Sequence, residues 1–68
     1  MYNIRFSTEK LGWFSTAYVD DYFGIPYRRI ANEIYKNLSH WDAVVTYQVF
    51  AGQTEITEQY NKWVVENS

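Results

Sequence analysis

The most constraining feature of this sequence is an amphipathic segment that runs from Pro26 to Leu38. Its apolar residues recur at intervals of three and four, as they do along one face of an α-helix. These residues are Tyr27, Ile30, Ala31, Ile34, Tyr35 and Leu38. Pro26 suits the first helical turn, where its missing N–H costs nothing. The pattern therefore predicts a helix over residues 26–38. Its opposite face carries the polar residues Arg28, Arg29, Asn32, Glu33, Lys36 and Asn37.

The chain before this helix has the sequence pattern of β-strands. Apolar and polar residues alternate over residues 2–7, and residues 13–19 are rich in aromatic and β-branched types. A turn that ends at Gly12 separates the two segments, so they predict a β-hairpin. A helix over residues 8–23 is the alternative, which glycine and β-branched residues within it disfavour.

The chain after the helix contains the strongest strand pattern, AVVTYQVF at residues 43–50, followed by a turn at residues 51–53. Residues 54–56 can return as a strand, and the final segment also fits a helix. The residues on the apolar face of that helix are Ile56, Tyr60, Trp63 and Val64. We expect a strand next to the turn, and the form of residues 54–66 beyond it stays open between strand and helix.

These elements predict one α+β domain spanning residues 1–68. The expected architecture is an antiparallel sheet packed on one central helix. The N-terminal hairpin and one or two C-terminal strands form this sheet.

The aromatic content matters because a chain of 68 residues has little interior. It contains no cysteine and one histidine, so a disulfide is excluded and a zinc site nearly so. Three Trp, seven Tyr and four Phe offer more aromatic surface than so small a core can hide, and exposed aromatic residues favour interfaces. The residues expected in the core are Phe6, Tyr27, Tyr35 and Tyr47. Those expected as exposed anchors are Tyr22, Trp41 and Trp63. We expect no cofactor.

Charge is distributed unevenly in a chain whose net charge is −2. Residues 25–41 carry three cations, Arg28, Arg29 and Lys36, against the single carboxylate of Glu33, whereas residues 42–68 are acidic. One interpretation is a basic helix face that meets an acidic partner. The simpler one is a solvated face with an Arg29–Glu33 pair one helical turn apart.

Residues 18–21 read YVDD, which resembles the motif in which two adjacent aspartates of reverse transcriptases hold magnesium ions. The resemblance covers four residues of 68, and the rest of the polymerase palm does not fit in this length. The carboxylate pair also lacks the phosphate-cradling loop or Lys/Arg clamp that two-metal chemistry needs. We instead expect Asp20 and Asp21 to end a strand just before the helix, where the helix dipole favours negative charge.

No other motif indicates catalysis. His40 has Asp42 as a near neighbour, but residues adjacent in sequence at a helix end do not make a catalytic triad. The three glycines stand apart, so they form no phosphate-binding loop. We expect a protein that is not an enzyme.

A second resemblance is to the helix-turn-helix. Residues 30–34, followed by Leu38, Ser39, Val44 and Val45, are faintly similar to that motif, with residues 51–60 as a wing. This resemblance implies a small winged-helix-like domain that binds nucleic acid through its basic helix. The corresponding recognition helix, residues 40–49, is rich in β-branched residues and contains no Arg or Lys to contact bases.

The sequence thus predicts a small non-catalytic protein-binding module in the cytoplasm. No apolar run approaches the length of a membrane span, and the N-terminus lacks the apolar core of a signal peptide. In size and composition the chain is similar to the compact inhibitors and adaptors of bacteriophages and mobile elements, including anti-CRISPR and host-takeover proteins, which block a partner protein in the host cytoplasm. The candidate partner-binding residues are Tyr22, Arg28, Arg29, Lys36, Trp41 and Trp63. Nucleic-acid binding is the alternative, and a homo-oligomer is a third interpretation.

Overall fold

The computed structural model describes residues 1–8, 12–22, 24–40 and 44–68. Within these ranges it contains four strands and two helices. In chain order they are β1 (Tyr2–Thr8), β2 (Gly12–Val19), α1 (Pro26–His40), β3 (Val44–Ala51), β4 (Thr54–Glu55) and α2 (Thr57–Glu66). In this part of the chain, neither helix combines the length and apolarity that crossing a membrane requires.

The strands form one antiparallel sheet in the order β2-β1-β3-β4. Its register is fixed around Ile4, which lies opposite Ala17 on β2 and Val49 on β3. Because residues directly opposite one another share a face, the alternating apolar residues of three strands meet on one side of the sheet.

Both helices pack on that side. The core contains Ile4, Phe6 and Val49 from the sheet, with Ile30 and other residues of both helices. The other face, which we call the open face, carries alternate residues of the same strands. They are Asn3, Arg5, Trp13, Thr16, Tyr18, Thr46, Gln48 and Phe50. No helix of the described residues contributes to the core from this side.

The connection from β3 into α2 is tied by hydrogen bonds at Val49. The Val49 N–H donates to the Thr57 hydroxyl oxygen at 2.9 Å, and the Val49 carbonyl accepts from the Ile56 N–H at 2.7 Å. The Thr57 hydroxyl in turn donates to the Glu55 carboxylate at 2.9 Å. These bonds fix the start of α2 against the outer side of β3.

The predicted α+β fold is confirmed, with small differences at the ends of the elements. The hairpin strands gain one residue each at the turn, and α1 continues two residues beyond Leu38, to His40. For residues 54–66 the sequence did not decide between strand and helix. The segment contains both, a two-residue strand at residues 54–55 and a helix from residue 57. A second helix therefore joins the expected central one.

The core assignment of Tyr35 was wrong. Its side chain is 76% exposed, although it belongs to the apolar series of the helix. Successive residues of an α-helix are 100° apart, so Tyr35 is rotated by about 80° from Tyr27, eight residues earlier. The sheet beneath the helix covers Ile30 and Ile34 but does not reach so far around the axis.

The resemblance to a helix-turn-helix is also overturned. Residues 44–49 of the expected recognition helix belong instead to β3, which pairs with β1. β-Branched residues favour this outcome, because they pack well on a pleated sheet and lose side-chain freedom in a helix.

Candidate protein-binding surface

Five aromatic side chains, which we call the aromatic cluster, connect the two helices to the sheet. Tyr27 of α1 lies at its centre, with ring-centroid distances of 6.4 Å to Tyr2, 6.2 Å to Tyr60 and 5.8 Å to Trp63. Tyr60 also makes an edge-on contact with Tyr47 of β3 at 5.8 Å. Aromatic pairs in these arrangements each add about 0.5–1.5 kcal/mol beyond the area they bury. The cluster therefore supplies stability that a chain without disulfides needs.

Burial raises the pKa of two phenols of this cluster, those of Tyr60 and Tyr47. It raises the pKa of Tyr60 to about 12, with a smaller contribution from neighbouring Tyr47. Burial also raises the pKa of Tyr47, whose hydroxyl donates a 2.7 Å hydrogen bond to Asn61. At neutral pH both phenols are protonated, so neither is suited to serve as a base.

Trp63 belongs to the cluster. The sequence pattern predicted an exposed anchor at this position, but the ring is half-buried between Tyr27 and Tyr60 and packs against the core. The spacing of Tyr60 and Trp63, three residues apart on one helix face, is the sequence signal for this arrangement.

The turn between β2 and α1 is held by the side chain of Asp20. Its carboxylate accepts from the guanidinium of Arg29 and from the N–H of Tyr22. Arg29 also donates to the backbone oxygen of Asp20, at 3.1 Å. Gly24 closes the turn by donating to the Asp21 carbonyl at 3.4 Å, with a φ of 78° that L residues rarely adopt. The turn is thereby attached to the helix that follows it.

This turn presents Tyr22 to solvent, with 81% of the residue exposed. Ile25, just before the helix, is half exposed, and Arg28 is exposed in the first helical turn. We call Tyr22, Ile25 and Arg28 the Tyr22 surface. Its residues are close in sequence, and the Asp20–Arg29 pair fixes the segment that carries them.

The structure brings together only part of the predicted site. Tyr22, Arg28 and Arg29 all lie at the start of α1. Lys36 is exposed on the same helix but about 12 Å farther along its axis, eight residues after Arg28. Trp41 lies outside the described residues. The site is therefore centred on the turn before α1.

Sequence reasoning missed two aromatic residues on the open face. Tyr18 is 66% exposed and Trp13 is 44% exposed, and the guanidinium carbon of Arg5 lies 4.9 Å from the centre of the Trp13 ring. The alternation of apolar and polar residues in β1 could have indicated their exposure. It places Arg5 and its cross-strand neighbours on the face away from the core.

The two aspartates of YVDD form hydrogen bonds that stabilise the turn between β2 and α1. Asp20 binds Arg29 and the Tyr22 N–H, and the Asp21 carbonyl accepts from Gly24. Within the described ranges, no three His, Cys, Asp or Glu residues come together as metal ligands would. This arrangement matches the expectation that the two aspartates end a strand before the helix.

The helix α2 begins beside a surface groove lined by Glu55, Thr57, Glu58 and Gln59. The Thr57 hydroxyl is engaged there with Glu55 and with the Val49 N–H. One of these hydrogen bonds joins α2 to β3 and the other joins it to β4, so the role of the hydroxyl in this geometry is structural.

Comparison with known proteins found no protein-family model, curated protein or solved structure that matches this chain. The function of this chain is therefore inferred from its own surfaces.

Proposed function

We propose that this protein is a small non-catalytic module that acts by binding another protein through the Tyr22 surface. The observation that carries the proposal is the exposure of Tyr22 on a turn that Asp20 and Arg29 hold in place. Tyrosine and arginine are among the residues most enriched at the energetic centres of protein interfaces. A fixed turn presents them at low entropic cost, because less freedom is lost on binding.

The charge of α1 favours an acidic partner surface. Arg28 and Lys36 are exposed on the outward side of this helix, in a chain whose net charge is −2. Complementary charges across an interface increase the association rate and select against wrong partners more than they add to affinity. In this proposal Tyr22 supplies contact area, and the two cations steer the approach.

The mode of action we propose is steric block or adaptation of a cytoplasmic partner. A small rigid domain can cover a site on a larger protein without chemistry of its own, as the inhibitors and adaptors of bacteriophages and mobile elements do. The arrangement of Tyr22 and Arg28 supports this mode, because both are exposed, one on the turn before the helix and the other in its first turn.

The experiment that tests the proposal is affinity capture from cell lysate with and without nuclease, followed by mass spectrometry. Wild type, Tyr22→Ala and Tyr35→Ala are compared. Tyr35 is the matched control, because it is a tyrosine of similar exposure that lies on α1, outside the Tyr22 surface. We expect wild type and Tyr35→Ala to capture the same partner protein whether or not nuclease is added. We expect Tyr22→Ala not to capture it.

Two outcomes would contradict the proposal. Capture that disappears with nuclease would favour nucleic-acid binding. Such binding weakens steeply as the salt concentration rises, because it releases counterions from the phosphates. Equal capture by wild type and Tyr22→Ala would place the binding surface elsewhere on the protein.

A further inference from the structure

The two edges of the sheet differ in whether their outer backbone groups are paired. On one side, β4 pairs with Phe50 and Ala51 of β3, and the next residue, Val49, is bonded to Ile56 and Thr57. On the other side, β2 is an eight-residue strand, and no strand of the described part of the chain lies beyond it. The outer backbone groups of β2 are therefore available for pairing.

β2 also lacks the side chains that usually protect an edge. Proteins discourage edge-to-edge pairing with charged residues, particularly lysine, and with proline. The sequence of β2, GWFSTAYV, contains neither. The register irregularity with β1 falls between Phe6 and Ser7, so residues 15–19 remain regularly paired along their length. This regular part is an uncharged template for another strand.

We propose that β2 pairs antiparallel with β2 of a second copy of this chain, so that two four-stranded sheets join into one. A two-fold axis makes such pairing self-complementary. A register centred on Ala17 places Thr16 opposite Tyr18 on the open face and Ser15 opposite Val19 on the core face. Each residue therefore meets a partner on its own side of the sheet.

Charge and area favour a second copy as the occupant. Each chain carries a net charge of −2, but the paired strands are uncharged, so no like charges meet within them. A specific interface buries roughly 800 Å² per partner, about a sixth of the 5013 Å² surface of this chain. Tyr18, which is exposed on the open face of β2, adds aromatic area to the backbone pairing.

The dimer does not depend on the proposed function. The Tyr22 surface follows the end of β2 and is not required for strand pairing. Partner capture reports on Tyr22, whereas the mass of the isolated protein reports on β2, so either proposal can fail alone.

The test is the mass of the purified protein by light scattering and analytical ultracentrifugation over a range of concentrations. The variant is Thr16→Glu, which puts a carboxylate opposite Arg5 within each copy and brings two carboxylates together near the two-fold axis. Thr46→Glu is the matched control, because Thr46 is also an exposed threonine of the open face but lies on β3. Circular dichroism confirms that both variants fold.

We expect wild type and Thr46→Glu to form dimers, and Thr16→Glu to dimerise about tenfold more weakly or worse. Amide exchange in β2 should slow as the concentration of wild type rises. A wild type that stays monomeric at about 1 mM would overturn the proposal, because affinity that weak has little consequence. So would equal dimerisation of Thr16→Glu and Thr46→Glu, which would locate the contact on another surface.

Discussion

The guanidinium of Arg29 forms an ion pair with the carboxylate of Asp20, nine residues earlier in the chain, and donates a 3.1 Å hydrogen bond to its backbone oxygen. One side chain thus joins the end of β2 to the first turns of α1. The same carboxylate accepts from the N–H of Tyr22. The contact therefore determines how the most exposed tyrosine of the chain is presented.

The first prediction concerns the strength of this contact. In a double-mutant cycle with Asp20→Ala and Arg29→Ala, we expect a coupling free energy of about 0.5–1 kcal/mol, because both side chains are partly exposed and solvent screens the pair. The measurement is urea unfolding of the four proteins. Asp21→Ala with Arg29→Ala is the matched control, and a coupling of equal size there would mean that the pair acts by general charge alone.

The second prediction separates packing from exposure in α2. Trp63→Ala should lower the free energy of unfolding by roughly 2–4 kcal/mol, since it removes a ring packed against Tyr27 and Tyr60. Val65→Ala, at an exposed position of the same helix, should change it by less than about 0.5 kcal/mol. Similar small losses in both variants, measured by chemical denaturation, would show that Trp63 contributes little to packing.

The third prediction is a loss of stability at high pH. Tyr60 is 3% exposed, and burial raises its pKa from 10.0 to about 12. Between these values the unfolded chain loses the phenol proton while the folded chain retains it, so stability is full below pH 10 and falls as pH approaches 12. The difference corresponds to roughly 2–3 kcal/mol.

The measurement for Tyr60 is urea unfolding of wild type and Tyr60→Phe across this pH range. Phenylalanine carries no phenol, so the pH dependence of the variant should be smaller than that of wild type. Parallel curves for the two proteins would show that Tyr60 ionises in the folded state as easily as in the unfolded one.

The fourth prediction is a stabilising substitution on the open face. The side-chain oxygen of Asn3 is buried and has no hydrogen-bond partner among the described residues. Asn3 lies between Tyr18 and Phe50 on the adjacent strands, where a β-branched apolar residue packs well. Asn3→Val should raise the free energy of unfolding by about 1 kcal/mol, because it removes an unsatisfied acceptor.

Thermal and urea unfolding of the Asn3→Val variant provide the measurement. Asn61→Val is the contrasting control, because the side-chain oxygen of Asn61 accepts the hydroxyl of Tyr47 and its loss should be destabilising. A destabilised Asn3→Val protein would mean that the oxygen is satisfied in solution.

Most of the fold could be predicted from the sequence, since local patterns determine it. The helix follows from a regular apolar series, and the hairpin and β3 follow from alternation and β-branched content. The C-terminal segment was ambiguous because it contains both patterns. Thr54 and Glu55 form the strand next to the turn, whereas Tyr60 and Trp63 give the helical spacing that follows.

The candidate site was less predictable, because it depends on contacts between distant residues. The sequence indicated Tyr22 and Arg28 as candidates, but the ion pair that fixes the turn joins two elements and leaves no local signature. For a similar reason, Trp63 is less exposed and Tyr35 more exposed than the sequence predicted. The burial of each depends on which neighbouring element covers it, and helical spacing alone does not give this.

The central claim, that Tyr22 is a binding anchor, is tested most directly by calorimetric titration of the purified captured partner with wild type, Tyr22→Ala and Tyr35→Ala. We predict that Tyr22→Ala weakens binding by about 30-fold or more, as the loss of an interface hot spot does, while its melting temperature stays at the wild-type value. Tyr35→Ala should bind as wild type does. Unchanged affinity of Tyr22→Ala would contradict the claim, as would a loss that is explained by unfolding of the variant.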